Sequence, residues 1–237
     1  MATEHLSDTS SVPKHPEVVF MVLFDDANPN GLEVTKKSIE TQIDIEPILF
    51  ECAVPQLDEL RASVKDEQVV IILRSGDAFY SQSSCKELIE NVTDKVQCVY
   101  SDSIVINEGD ELPQLMFPFS LDSISSGYMI TNVALSGKIF RNLNINPNLN
   151  FLLGHDIISK TFKSTRVRHL AEVKFLLPSR AVDVNEELAF IGFKYNYTSR
   201  RNRQQDEVLW AQATHKDWRP IINKKTNRNP KRLFLLS

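Results

Sequence analysis

Apolar residues in the first hundred positions come as short unbroken runs separated by polar, turn-rich stretches. Residues 17–24 (EVVFMVLF) form the first run, which ends at Asp25-Asp26-Ala27-Asn28-Pro29-Asn30-Gly31. A run of this length bounded by turn residues predicts a buried strand. Residues 47–54 (PILFECAV), 68–73 (QVVIIL) and 96–100 (VQCVY) predict three more. Helices are predicted between them: 32–42, with Leu32, Val34 and Ile39 among polar residues; 57–64; and 83–92, which opens on serine and sets Leu88, Ile89 and Val92 at helical spacing. Strands alternating with helices predict an α/β domain built on a mostly parallel sheet with helices on both faces. Such sheets bind ligands outside the carboxyl ends of their strands. A site is therefore expected at the loops 24–30, 51–53, 74–77 and 101–103, with the first three converging at one sheet edge.

Beyond Pro113 the pattern loosens. Residues 129–135 and 167–175 predict strands, 156–162 and 186–195 predict helices, and 115–119 are apolar but irregular. The stretch 223–232 is basic and polar, and 233–236 (LFLL) forms a small apolar anchor. The expected organisation is a polar arm over 1–16, a single α/β domain over 17–195 and a basic extension over 196–237.

Composition narrows the function classes. The 237 residues suffice for one large core. Only 7 are glycine, which argues against glycine-rich phosphate loops. The three cysteines, Cys52, Cys85 and Cys98, are odd in number and widely spaced, so neither a disulfide framework nor a zinc site is suggested. A reducing cytoplasm is the expected setting. No apolar run reaches the length of a membrane span, and the N-terminus has no signal-peptide pattern. The net charge of −4 hides a split: from Lys194 onward there are 11 Lys+Arg against 3 Asp+Glu, leaving 16 against 28 in the rest. A basic tail on an acidic body can seek phosphate, an anionic membrane or an acidic protein surface, its own body included.

Several short motifs occur in a telling order. The first strand and its loop lead to Ser38-Ile39-Glu40-Thr41-Gln42. The third strand runs into Arg74-Ser75-Gly76-Asp77. Val99-Tyr100-Ser101-Asp102-Ser103 is followed by a turn at Asn107-Glu108-Gly109, then by Pro113-Gln114-Leu115-Met116-Phe117-Pro118. Gly154-His155-Asp156-Ile157 precedes His169-Leu170-Ala171-Glu172-Val173. Over about residues 17–180 this order resembles the family 2 glycosyltransferases, enzymes of the GT-A fold that move a sugar from a nucleotide-sugar donor.

The resemblance implies a nucleotide-sugar site and exposes what the chain lacks. Inverting sugar transfer uses carboxylates that hold Mn²⁺ or Mg²⁺ on the diphosphate and another that takes the acceptor's proton. The family's metal-binding acids follow the third strand, where this chain has Arg74 and Gly76 and keeps only Asp77. Its catalytic Asp aligns with Gly154. Asp156 and His155 are the remaining base candidates, set against the plainer expectation that they cap the following helix. Asp25, Asp26, Glu51, Arg74, Asp77 and Asp102 are the nucleotide-binding candidates, with Glu51 where the family contacts the base ring. Arg74 is read either as a substitute for the metal on phosphate or as a plain surface arginine. No metal site and no cofactor are expected, a divalent cation entering only if the domain is active. The leading expectation is a catalytically impaired glycosyltransferase-like domain that serves as a binding or structural module, with a protein partner or a second copy engaged through the extension. An active, metal-independent glycosyltransferase is the alternative. A nucleic-acid-associated protein acting through the basic tail ranks last.

Overall fold

The computed structural model describes residues 16–24, 28–116, 118–119, 130–149, 152–162 and 165–180, together with the backbone of 208–212 and 218–222. The expected helix at 186–195 lies outside these residues, as do Asp25 and Asp26.

Three strands form the parallel heart of the sheet. They are β1 (Glu17–Leu23), β2 (Glu46–Cys52) and β3 (Val69–Arg74), with β1 between the other two. β1 is apolar throughout because both its faces are covered. Val18, Phe20 and Val22 face one core, while Val19, Met21 and Leu23 face the other. Helices α1 (Gly31–Glu40) and α3 (Ser84–Glu90) supply Ile39, Leu88 and Ile89 to the first core. The second core is closed by α2 (Leu57–Leu60), α4 (Gly137–Asn142) and α5 (Leu153–Thr161), through Leu57, Phe140, Leu153, Ile157 and Ile158. Full burial of each such side chain contributes about 1.5–3 kcal/mol.

The remaining strands are β4 (Ala78–Phe79), β5 (Val96–Asn107), β6 (Asp110–Gln114), β7 (Val133–Ser136) and β8 (Arg166–Pro178). The sheet order is β2-β1-β3-β7-β5-β8-β4, with β6 paired to β5. β1, β2, β3, β5 and β8 run one way, and β4, β6 and β7 run against them. The sheet is thus mostly parallel, with helices on both faces, as expected.

β5 corrects one expectation. Residues 101–103 are not a loop but the middle of a 12-residue strand, all three buried. Their polarity suggested a turn. The chain instead continues by exchanging neighbours, pairing with β7 at Cys98 and Val99 and with β6 from Ser103 onward. The turn predicted at Asn107-Glu108-Gly109 is present: Glu108 and Gly109 both have positive φ (52° and 94°), as a two-residue hairpin of the primed type requires. Strands β9 (Val208–Gln212) and β10 (Trp218–Ile222) pair with each other as an antiparallel ribbon inside the expected basic extension.

Candidate functional site

The register of β1, β2 and β3 brings the predicted loops to one edge. Leu23 is level with Cys52 on one side and Arg74 on the other. The Phe24 N–H donates to the Cys52 carbonyl (3.1 Å), and the Ser75 N–H to the Leu23 carbonyl (2.9 Å). The turn after β3 is fastened to α1. The Gly76 N–H donates to Gly31 O and to Thr35 Oγ1, each at 2.9 Å, and Thr35 Oγ1 donates to the Arg74 carbonyl (3.1 Å). Gly76 has φ +94°, and a Cβ there would lie 2.5 Å from Asn28 Nδ2 and 3.1 Å from Pro178 Cγ. The turn therefore needs glycine, and a carboxylate in its place would be strained.

Asp77 is completely buried. Its Oδ2 accepts from the Arg74 backbone N–H and from Asn132 Nδ2, both at 2.8 Å, and its Oδ1 accepts from Arg180 Nη1 at 2.7 Å. Arg180 also donates through Nη2 to the Ser75 carbonyl, so its guanidinium grips the side chain and the backbone of the same turn. Arg74 is not the surface arginine of one expectation: it ends β3 and is buried.

The other candidates have internal partners as well. Glu51 lies 2.6 Å from Lys36 Nζ, and this contact raises the pKa of the Lys36 ammonium. Asp102 Oδ1 accepts from the Met116 N–H and lies 2.7 Å from His169 Nε2, whose ring stacks on Tyr100 with centroids 5.0 Å apart. Asp156 pairs with Lys160 at 2.6 Å across one turn of α5. Burial pushes the Asp156 carboxyl's pKa up, while Lys160 and an Asn146 backbone contact pull it partly back.

The capping expectation for His155 and Asp156 fails. Leu152 is the N-cap, and both residues lie within the first turn of α5, buried with nearly all of that helix. Gly154 explains the depth. A Cβ on it would sit 2.6 Å from the carbonyl oxygens of both Ile130 and Thr131, so α5 touches the chain before β7 backbone to backbone. No carboxylate fits there without moving that chain.

A divalent cation at this edge would need several open oxygen ligands. The residues present do not fit one. Asp77 has its lone pairs directed at three donors, and Asn132 turns its NH₂ toward it. Among the described residues, no group of three or more His, Cys, Asp or Glu could hold a metal ion. The three cysteines are buried thiols, with burial raising Cys52 to about 11 and Cys85 and Cys98 to about 12.

No protein-family model matches the chain, and no curated protein matches it in sequence. Solved structures do match it in shape. The chain superposes on S. aureus TarS residues 1–349 with a TM-score of 0.52 at 11% identity, covering 81% of this chain and 67% of that one. The TarS complex with UDP-GlcNAc gives 0.51 at 10% identity over 81% of this chain and 68% of that one. Against the longer TarS structure the chain spans 41% of the length. A mannosyltransferase from Pyrobaculum calidifontis, bound to GDP-Man and Mn²⁺, superposes at 0.49 and 8% identity over 79% of this chain and 65% of that one, too loosely to carry an argument.

The fold is that of a GT-A glycosyltransferase.

On this GT-A scaffold, sequence reasoning named Asp77, Glu51, Asp102 and Asp156 as candidates but paired none of them with the side chain it meets. Asn132 and Arg180 reach Asp77 across 55 and 103 positions, and no local pattern marks either. Thr35 was equally hidden, a buried hydroxyl on a helix that reads as ordinary and amphipathic.

Proposed function

We propose that this GT-A domain does not transfer sugar and serves as a binding or structural module. One observation carries the reading. Glu51, Asp77, Asp102 and Asp156, the acids that the resemblance would assign to nucleotide, metal or base, each lie against a basic side chain of the same chain: Lys36, Arg180, His169 and Lys160. An acid whose oxygen is already engaged by a side chain of its own chain is a poor metal ligand. Gly154 and Gly76 add to the case, because both stand where carboxylates are expected, the first packed against backbone carbonyls and the second held at φ +94°, which strains any side chain.

The donor class to test is a nucleoside-diphosphate sugar, since TarS, one of the structures this chain superposes on, was solved with UDP and with UDP-GlcNAc. Isothermal titration with UDP and UDP-GlcNAc, run beside an assay for released UDP with and without Mn²⁺, tests the reading. UDP release at background level is expected under every condition. UDP release that disappears in Asp156→Asn or His155→Ala, with the fold intact, would overturn the proposal in favour of an active, metal-independent enzyme.

The partner side of the proposal rests on charge. The segment from Lys194 carries 11 basic and 3 acidic residues on a chain otherwise rich in acid, which supports attachment to an acidic protein surface, of another copy or of a separate partner.

A further inference from the structure

We infer that the Arg180 guanidinium is a resident counter-ion that takes the place of a divalent cation at Asp77, so that this edge of the sheet binds no divalent ion. Arg180 lies two residues beyond the end of β8 and reaches the turn after β3. Its planar fork makes two contacts at once, one to the Asp77 carboxylate and one to the Ser75 carbonyl. A cation bridging carboxylate and carbonyl oxygens would meet the same two atoms.

The surroundings leave the carboxylate no second role. Its other oxygen is held by a backbone N–H and by Asn132, whose own Oδ1 accepts from Thr131 Oγ1 at 2.7 Å. That bond fixes the amide with its NH₂ toward Asp77. Pro178 packs on Gly76 beneath the same turn, so the chain after β8 is seated here by packing as well as by charge. The charges agree: the Arg180 guanidinium offsets the Asp77 carboxylate at 2.7 Å, so the pair offers no net negative charge to draw a divalent cation. This inference stands whether or not the domain transfers sugar, because it concerns the ion and not the reaction.

The test uses the full chain. Electron paramagnetic resonance of added Mn²⁺ should show the ion free in solution in the presence of wild-type protein. Arg180→Met leaves a buried carboxylate without its cation and should lower the Tm by roughly 10 °C. Asp77→Asn combined with Arg180→Met removes the stranded charge and should recover at least half of that loss. Stoichiometric Mn²⁺ binding by wild type that Asp77→Asn abolishes would overturn the inference. So would Arg180→Met melting with wild type, or a double variant no more stable than Arg180→Met. If Arg180→Met does not fold, the Mn²⁺ titrations of wild type and Asp77→Asn decide the matter, since they need no change at Arg180.

Discussion

At the residue scale, the glycines are as informative as the acids. Gly154 occupies the position where the resemblance places a catalytic Asp, and the structure gives the physical reason that position stays bare: two carbonyl oxygens lie 2.6 Å from where a Cβ would be. Gly154→Ala is therefore expected to destabilise the fold by about 1–3 kcal/mol, as overpacking does. Thermal melts of the variant check this, and a Tm equal to wild type would mean that α5 and the chain before β7 are not in contact. Gly154→Asp should fare worse and produce no UDP release. The sequence could show that the carboxylate was missing. It could not show why, because the contact joins α5 to residues 130 and 131, whose spacing along the chain carries no pattern. Asp77 makes the same point. The residue was legible as a surviving site acid, while its engagement by Arg180 and Asn132 was legible only in three dimensions.

At the scale of elements, legibility follows burial. β1 and β3 are covered on both faces, and their unbroken apolar runs announced them. β5 was cut short in the reading because Ser101, Asp102 and Ser103 are polar, yet a change of neighbouring strand keeps that stretch inside the sheet. β4 has two residues and β6 contains Pro113, so neither carries a strand signal, and both sit at edges where a missing N–H is tolerated. The joint between α3 and β8 was also invisible in sequence. Lys174 is buried in β8 and pairs with Glu87 of α3 and with Glu172 (2.5 Å). Burial alone would lower the lysine's pKa, but the two carboxylates outweigh it and hold it raised. The Lys174 and Ser83 contacts hold Glu87 below its ordinary 4.5. A carboxylate lowered on folding stabilises the protein above its unfolded pKa, and that contribution fades as the pH falls through the folded value. Wild type should therefore lose stability below about pH 4.5 partly through this pair, and Lys174→Met should flatten that part of the acid limb. Melts recorded across the acid range compare the two slopes. Equal slopes would mean that Glu87 titrates alike in the folded and unfolded chains.

At the scale of the whole molecule, alternation of strands and helices was enough to reach a mostly parallel α/β sheet and the resemblance in motif order to reach the GT-A fold, whereas the distribution of charge raises a question that the fold does not answer. The segment from Lys194 carries a net +8 and the preceding residues −12. Within that segment β9 and β10 pair with each other as a two-stranded antiparallel sheet. The residues after the ribbon, 223–237, combine Lys224, Lys225, Arg228, Lys231 and Arg232 with Leu233-Phe234-Leu235-Leu236. Basic side chains alone give contacts that salt screens beyond about 8–10 Å. The apolar residues would add a part that salt does not weaken, at about 25 cal/mol per Å² buried. Deleting 223–237 is accordingly expected to leave the thermal melt of the domain within a few degrees of wild type while reducing association, with the loss largest at low salt. Sedimentation velocity of full-length and truncated protein at low and high salt measures this directly. A truncated chain that no longer folds would make the segment part of the core. Identical sedimentation of the two at every salt concentration would remove it from any role in assembly, and the charge split would then reflect solvation of the surface alone.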